Sequence, residues 1–185
     1  MAFAGERIGL LGGSFNPAHE GHLHISRVAL RRLGLDRIWW LVSPQNPLKP
    51  VNGMAPLADR LRMAGQVARD RRIIVSDIES QLGTRYTIDT IRELKRRYPG
   101  VTFVWLMGSD NLAGFHHWRS WQQLARQVAI GVIARPGVGH ALSSPFARRF
   151  GFARTRPLNR LPAWRYLLSQ LHPASATAIR AKGQW

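Results

Sequence analysis

The sequence predicts a single doubly wound α/β domain over residues 1–185, with a parallel sheet of five or six strands. Short apolar runs of strand length alternate with longer amphipathic stretches of helical length along the chain. A length of 185 residues suits one compact domain and is short for two large ones. Because ligands in such folds bind where the strands end, we expect a site at the carboxyl edge of the sheet.

Five apolar runs and one ambiguous run predict the strands. The first run, RIGLL, ends at a pair of glycines, and the second, RIWWLV, precedes a proline-rich stretch. The sixth run, AWRYLL, favours a short strand over a helix because it is rich in β-forming residues and His-Pro follows it. The predicted strands are Arg7–Leu11, Arg37–Val42, Arg72–Asp77, Val101–Met107, Val128–Ala134 and Ala163–Leu168.

Amphipathic stretches between these runs predict the helices. In TIDTIRELKRRY, Ile88, Ile91 and Leu94 form one apolar stripe, and Thr87 or the preceding residue caps the helix. Residues 43–56 contain four prolines and are expected to form an ordered loop or a mobile flap. The predicted helices are Gly21–Leu33, Leu57–Arg69, Thr87–Tyr98, Trp118–Arg126 and Ser143–Phe150, with one or two capped turns after residue 174.

Composition excludes several classes of protein. The absence of cysteine excludes disulfides, thiol nucleophiles and thiolate zinc sites, and it fits a reducing cytoplasm. The N-terminal apolar run is short and interrupted, and no stretch has membrane-spanning length, so a soluble cytoplasmic protein is expected.

Positive charge is unusually high and unevenly distributed. The formal net charge is +17, and residues 111–185 hold eleven Arg or Lys and no Asp or Glu. Such a charge attracts nucleic acid, membrane surfaces or phosphorylated small molecules. A compositional bias explains the excess equally well, since Arg outnumbers Lys 24 to 3. Charge alone therefore does not choose the partner.

The stretch GGSFNPAHEGHLHIS, residues 12–26, concentrates the residues with chemical potential. Gly12 and Gly13 follow the first strand and allow backbone N–H groups to approach an anion closely. His19 and His22 share one face at the start of the next helix, where they suit the stabilisation of charge on a phosphoryl group. Zinc ligation is an alternative that needs a third ligand, and a purely structural pair is another. The spacing matches neither GxGxxG nor GxxxxGK[ST], so a dinucleotide fingerprint and a P-loop are not indicated.

This stretch resembles the signature of the HxGH nucleotidyltransferase superfamily, and most closely that of the bacterial nicotinate-nucleotide adenylyltransferases. Members of that family usually read GGxFDPxHxGH, whereas this chain has Asn16 where Asp is common. Asn keeps the shape and the acceptor oxygen but loses the charge, so a turn-stabilising role is expected for it. The resemblance implies a Rossmann-like fold, in which Gly12, Gly13, Ser14 and Phe15 contact ATP.

Two loop segments carry the resemblance further along the chain. Lys49 lies in a segment that resembles the family's P-x-x-P-x-K loop, where it would neutralise triphosphate charge; alternatively it is a solvated loop cation. Gly108, Asp110 and Trp118 lie in a segment that resembles the G-x-D-x-L…F…W lining of the mononucleotide pocket. Asp110 could bond a ribose hydroxyl or cap a helix. Trp118 could stack on the pyridine ring, or pack with Trp121 in the core.

Three further motifs agree with the same family. Thr87, in Arg-Tyr-Thr, matches a placement near the pyridine carboxylate, and it could equally be a helix cap. Ser175, Thr177 and Arg180 lie in SATAIR, which resembles the superfamily's S-[SA]-T-x-I-R phosphate motif. Arg135, in the family's R-P-G, could line the site or only form a salt bridge. The chain ends five residues after Arg180, which leaves little length for a final helix.

The resemblance implies an adenylyltransferase that joins ATP and nicotinate mononucleotide into nicotinate adenine dinucleotide and releases pyrophosphate. Mg²⁺ is expected on the ATP phosphates, with no metal site built from protein ligands. Neither nucleic acid nor a membrane is expected as a partner, and a homo-oligomer is left open. The alternatives are another HxGH enzyme, such as a phosphopantetheine adenylyltransferase, and a basic nucleic-acid-binding protein without enzymatic activity.

The implied catalytic residues are His19, His22, Lys49 and Arg180. The implied ATP ligands are Gly12, Gly13, Ser14, Phe15, His19, His22, Gly108, Asp110, Ser175, Thr177 and Arg180. The implied mononucleotide ligands are Ser14, Lys49, Thr87, Asp110, Trp118 and Arg135.

Overall fold

A computed structural model describes residues 2–44, 53–136, 139–169, 174 and 176–181. Six parallel strands form one sheet in the order β3-β2-β1-β4-β5-β6. The order runs outward in both directions from the adjacent strands β1 and β4, so the chain crosses from one half of the sheet to the other between them. The doubly wound α/β fold predicted from the sequence is confirmed.

All six predicted strands are present, including the ambiguous sixth. The first differs from the prediction, because it continues through Gly12 and Gly13, which pair with Leu41 and Val42 of the neighbouring strand. Backbone pairing along a parallel neighbour does not need a side chain, so the glycines extend the strand and do not stop it. The strands are β1 (Arg7–Gly13), β2 (Arg37–Val42), β3 (Ile73–Ser76), β4 (Thr102–Gly108), β5 (Ala129–Ile133) and β6 (Trp164–Leu167).

The helices agree with the predicted positions within a few residues, with three differences. The short helices α3 (Ile78–Leu82) and α5 (Ser109–Gly114) were not predicted, because five or six residues are too few to show a helical period. The predicted helix from Trp118 begins instead at Trp121, since Phe115–His117 forms a 3-10 turn and Trp118 has an extended backbone. The helices are α1 (Glu20–Arg32), α2 (Leu57–Val67), α3 (Ile78–Leu82), α4 (Thr87–Arg97), α5 (Ser109–Gly114), α6 (Trp121–Gln127), α7 (Pro145–Arg149) and α8 (Ala176–Ala181).

Helices cover the sheet on both faces and bury it. Side chains that alternate along each strand enter two separate apolar clusters, one on each face. On β1, Ile8 and Leu10 enter one cluster and Leu11 enters the other. Burial on both faces explains why the strands read as continuous apolar runs in the sequence. Among the described helices, none is long and apolar enough to cross a membrane.

Candidate active site

The candidate site lies where β1 and β4 end, at the position where the sheet reverses its strand order. β1 ends at Gly13 and β4 at Gly108, and α1 and α5 begin shortly after them. Parallel doubly wound sheets open a crevice at such a position. The two glycine-containing segments singled out from the sequence therefore meet at one edge of the sheet.

The two histidines form a capping box at the start of α1. His19 is the N-cap residue, and its Nδ1 accepts a hydrogen bond from the backbone N–H of Gly21 at 3.1 Å. The Nδ1 of His22 accepts one from the backbone N–H of His19 at 3.2 Å. The ring centroids lie 4.0 Å apart. The prediction that the two side chains come together is confirmed, although His19 caps the helix and does not lie on its face.

Two aromatic rings fix the position of His22. Phe15 lies 4.5 Å from the His22 ring and 5.2 Å from the Trp40 ring, centroid to centroid. Phe15 adopts a left-handed backbone conformation with φ of 47°, which is strained for a residue with a side chain. Its side chain is buried, so packing stabilises this conformation. The loop between β1 and α1 is thus held rigidly beneath the histidines.

Gly12 and Gly21 permit close approaches that a side chain would block. A Cβ on Gly12 would lie 2.5 Å from the Trp105 ring. A Cβ on Gly21 would lie 2.8 Å from His19 Nδ1 and 3.0 Å from the carbonyl oxygen of Ala174. Gly21 therefore allows the C-terminal segment to reach the histidine pair, which is a packing reason for glycine within HxGH.

Asn16 holds the loop before α2 through both halves of its amide. Its Nδ2 donates to the carbonyl of Gly53 at 2.9 Å, and its Oδ1 accepts from the backbone N–H of Ala55 at 3.0 Å. The side chain is buried. The expected turn-stabilising role is therefore too narrow, because Asn16 links two loops that are far apart in sequence. An aspartate could supply the acceptor but not the donor.

Asp110 and Arg135 connect β4, β5 and the C-terminal segment. Arg135 pairs with Asp110 at 3.4 Å and donates to the carbonyl of Ala174 at 2.9 Å. Its backbone N–H donates to the Ser109 hydroxyl. The N-cap of α5 is Gly108 without a side-chain bond, so Asp110 does not cap that helix. Gly108 is packed closely, since a Cβ there would lie 2.6 Å from Arg135 Cδ.

The C-terminal motif meets the first loop through Arg180. Its guanidinium donates a hydrogen bond to the carbonyl of Asn16. Thr177 lies in the same short helix, α8, and is exposed. Lys49 and Ser175 lie outside the described residues, so their expected roles stay predictions. Motifs separated by about the whole chain length nevertheless meet at one edge of the sheet.

The pyridine-binding candidates lie on the β4 side. Thr87 is the first residue of α4, whose N-cap is Tyr86 without a side-chain cap bond, so the alternative that Thr87 is the N-cap is wrong. Trp118 is partly buried, edge-on to Trp105 at 5.9 Å and 5.1 Å from Phe115. Trp118 and Trp121 do not share a helix, and each packs one side against the core.

Sequence reasoning missed two buried charged residues beside the site. Arg60 is 1% exposed, and its partners among the described residues are backbone carbonyls. Glu79 is 8% exposed and hydrogen-bonds the hydroxyls of Thr90 and Ser43. Burial raises the pKa of the Glu79 carboxyl to about 7, and the two hydroxyl bonds oppose that rise only in part. Each appears in the sequence as an ordinary charge among other polar residues, which gives no signal of burial.

The described residues contain no group of three or more His, Cys, Asp or Glu side chains that could hold a metal ion. His24, the third histidine of the opening stretch, lies 3.2 Å from the Ser169 hydroxyl.

Comparison with known proteins places the whole chain in one group. The family model described as cytidylyltransferase-like matches residues 10–182. A relative from Cereibacter sphaeroides, named "Probable nicotinate-nucleotide adenylyltransferase", is 54% identical over 183 residues, which are 96% of this chain and 98% of the relative. A Roseobacter denitrificans relative with the same name is 52% identical over 192 residues, covering 100% of this chain and 96% of its own.

Solved structures agree on the fold. The structure of Plasmodium falciparum nicotinic acid mononucleotide adenylyltransferase complexed with NaAD has a TM-score of 0.74 at 18% identity and covers 95% of this chain and 83% of its own. The same enzyme complexed with APC has a TM-score of 0.72, with the same identity and coverage. At this identity the likeness concerns the arrangement of the sheet and helices.

Proposed function

We propose that this chain, which belongs to the nicotinate-nucleotide adenylyltransferase family within the cytidylyltransferase-like proteins, joins ATP and nicotinate mononucleotide. The products are nicotinate adenine dinucleotide and pyrophosphate, a step of NAD biosynthesis. The observation that carries the proposal is the convergence of the HxGH pair, the Asp110–Arg135 pair and Arg180 at one edge of the sheet.

In the proposed reaction, the 5′-phosphate of the mononucleotide attacks the α-phosphorus of ATP. A P–O bond forms to that phosphate, the bond to the bridging oxygen breaks, and pyrophosphate leaves with its electron pair. No protein nucleophile is needed, because a phosphate oxygen is already nucleophilic. The protein contributes positioning and stabilisation of negative charge.

The residues proposed for the phosphates are cations and hydrogen-bond donors. His19 and His22 accept backbone bonds at Nδ1, so in the neutral rings the proton lies on Nε2 and is a donor. Arg180 adds a forked guanidinium at the same loop. Lys49, Ser175, Thr177 and the backbone of residues 12–15 complete the proposed phosphate and ATP contacts, with Gly108 and Asp110 at the end of β4.

The proposed mononucleotide side uses the residues near β4 and α4. The first N–H groups of α4, at Thr87, would receive the pyridine carboxylate, because a helix N-terminus favours an anion. Trp118 offers a flat ring, and Asp110 offers an acceptor for a ribose hydroxyl. Ser14, Lys49 and Arg135 are the remaining proposed contacts.

Mg²⁺ is proposed to enter with ATP as part of the substrate. Phosphate and water oxygens are ligands that Mg²⁺ prefers, and the ion would neutralise part of the triphosphate charge. A cytoplasmic location also belongs to the proposal, and the absence of cysteine fits it.

A pyrophosphate-release assay tests the proposal. The full chain is mixed with ATP, Mg²⁺ and either nicotinate or nicotinamide mononucleotide. We expect release with nicotinate mononucleotide, and a kcat/KM for it that exceeds that for the amide. Failure to release pyrophosphate with either mononucleotide would rule out the proposed substrate. Release only when 4′-phosphopantetheine replaces the mononucleotide would rule it out as well.

A further inference from the structure

Arg60 is a buried cation to which the proposed reaction assigns no part. It lies on α2, and its side chain is 1% exposed. Burial lowers the pKa of its guanidinium. Its charge is compensated by backbone carbonyls: Nη1 donates to Ser14 and Ser43 at 2.7 Å each, Nη2 to Pro44 at 3.1 Å and Nε to Ala55 at 2.9 Å. No ion pair of the described residues includes it.

These carbonyls belong to the loop after β1 and to the two ends of the β2–α2 connection, beside the candidate site. Ser14 follows β1, Ser43 and Pro44 follow β2, and Ala55 precedes α2. One rigid guanidinium fork therefore fixes the distance between the loop after β1 and the loop after β2. A lysine cannot reproduce this, because its ammonium has three donors at a single point.

The bond to Ser14 also sets the direction of the next backbone N–H. The Ser14–Phe15 peptide is trans, so the N–H of Phe15 points away from the carbonyl that Arg60 holds. Within the part of the chain that the structure describes, this N–H donates to no acceptor. Phe15 has a φ of 47°, and its ring contacts His22. Concave anion-binding sites are built from successive backbone N–H groups around a left-handed residue, and Phe15 is a residue of that conformation.

We propose that Arg60 is a positioning residue for the ATP phosphates: it holds the Ser14 carbonyl so that the Phe15 N–H faces the anion beside the histidine pair. The proposal rests on the proposed function. The fixed separation of Ser14 and Ser43 sets the width of the phosphate site, and the buried positive charge beneath them favours a polyanion.

The test compares Arg60→Lys and Arg60→Met with the wild-type chain. For each, ATP binding is titrated by calorimetry without mononucleotide, and kcat and KM for ATP are measured at 25 °C. We expect the affinity for ATP to fall roughly tenfold to a hundredfold in Arg60→Met and by less in Arg60→Lys. Arg62→Lys is the matched control, because Arg62 lies on the same helix and its side chain is 59% exposed; it should bind ATP like the wild type.

A second control separates positioning from stability. Leu124→Ala removes a fully buried side chain from the core and should lower the melting temperature without changing ATP affinity. If Arg60→Lys and Arg60→Met melt earlier but bind ATP with wild-type affinity, Arg60 is structural only and the inference is overturned. If the wild type binds ATP and the Arg60 variants do not, yet no dinucleotide forms, the inference survives and the proposed function fails.

Discussion

The Nδ1 atom of His22 accepts a hydrogen bond from the backbone N–H of His19, at 3.2 Å. The two side chains that cap the helix are therefore also the candidate phosphate donors. A ring whose Nδ1 accepts from the backbone presents its other nitrogen as a donor, so the fold of the helix start selects the tautomer that an anion needs.

Replacement of His19 by Asn should preserve the helix cap and remove the hydrogen-bond donor for the phosphate. Asn is a good N-cap, so the melting temperature should change little, whereas Ala at this position should lose about 1 kcal/mol of stability. Both variants lack the imidazole donor, and kcat should fall roughly a hundredfold to a thousandfold in each. His24→Ala, on the same helix, is the control and should retain kcat. Wild-type kcat in His19→Asn would refute the catalytic assignment.

Glu79 should make stability depend on pH. Its pKa is about 7 in the folded chain against an ordinary value of 4.5, so the folded state holds its proton more tightly than the unfolded state. The stabilisation is complete below about pH 4.5 and is lost as pH rises to about 7. Between pH 5 and pH 8, we expect the free energy of unfolding to fall by roughly 2 to 3 kcal/mol from this group.

Urea denaturation at several pH values measures this effect. In Glu79→Gln the fall between pH 5 and pH 8 should shrink by that amount, because Gln stays neutral. Asp89→Asn removes a carboxylate on the neighbouring helix α4 whose side chain is 40% exposed, and it should leave the fall in place. An unchanged pH profile in Glu79→Gln would show that another group is responsible.

Gly21→Ala should lower activity although it places a better helix former in α1. Alanine is the better helix former, by up to about 1 kcal/mol. At this position, however, its Cβ would lie 2.8 Å from His19 Nδ1 and 3.0 Å from the Ala174 carbonyl. We expect kcat/KM to fall at least about tenfold as the histidine shifts. Gly65→Ala is the matched control, because a Cβ there meets nothing within 4 Å. It should stabilise α2 and preserve activity; a fully active Gly21→Ala would contradict the packing role.

Asn16→Asp should weaken the link between the two loops. The carboxylate would face the Gly53 carbonyl, an acceptor that now receives a hydrogen bond at 2.9 Å. We expect a loss of about 1 to 2 kcal/mol in the free energy of unfolding, measured by urea denaturation at pH 8. Asn159→Asp, on an exposed loop, is the control and should change stability much less. An Asn16→Asp chain as stable as the wild type would show that the Gly53 bond contributes nothing.

The sequence predicted the sheet because its central strands, such as β2, β4 and β5, are buried on both faces and therefore form nearly uninterrupted apolar runs. It predicted the position of the candidate site through short motifs after β1 and β4, which contain His19 and Gly108 and which the topology brings to one edge of the sheet. It could not predict the burial of Arg60 or Glu79, since their partners are carbonyls and hydroxyls that only the folded chain brings together around them. The same holds for Trp118, where a 3-10 turn interrupts a pattern that suggests one continuous helix.

Product identification tests the central claim most directly. The chain is incubated with limiting ATP, Mg²⁺ and equal concentrations of nicotinate and nicotinamide mononucleotide. The dinucleotides are then separated by chromatography and identified and quantified by mass spectrometry. The account predicts nicotinate adenine dinucleotide as the main product, in amounts equal to the pyrophosphate released. A mixture dominated by NAD⁺, or no dinucleotide while ATP and the mononucleotides remain intact, would contradict it.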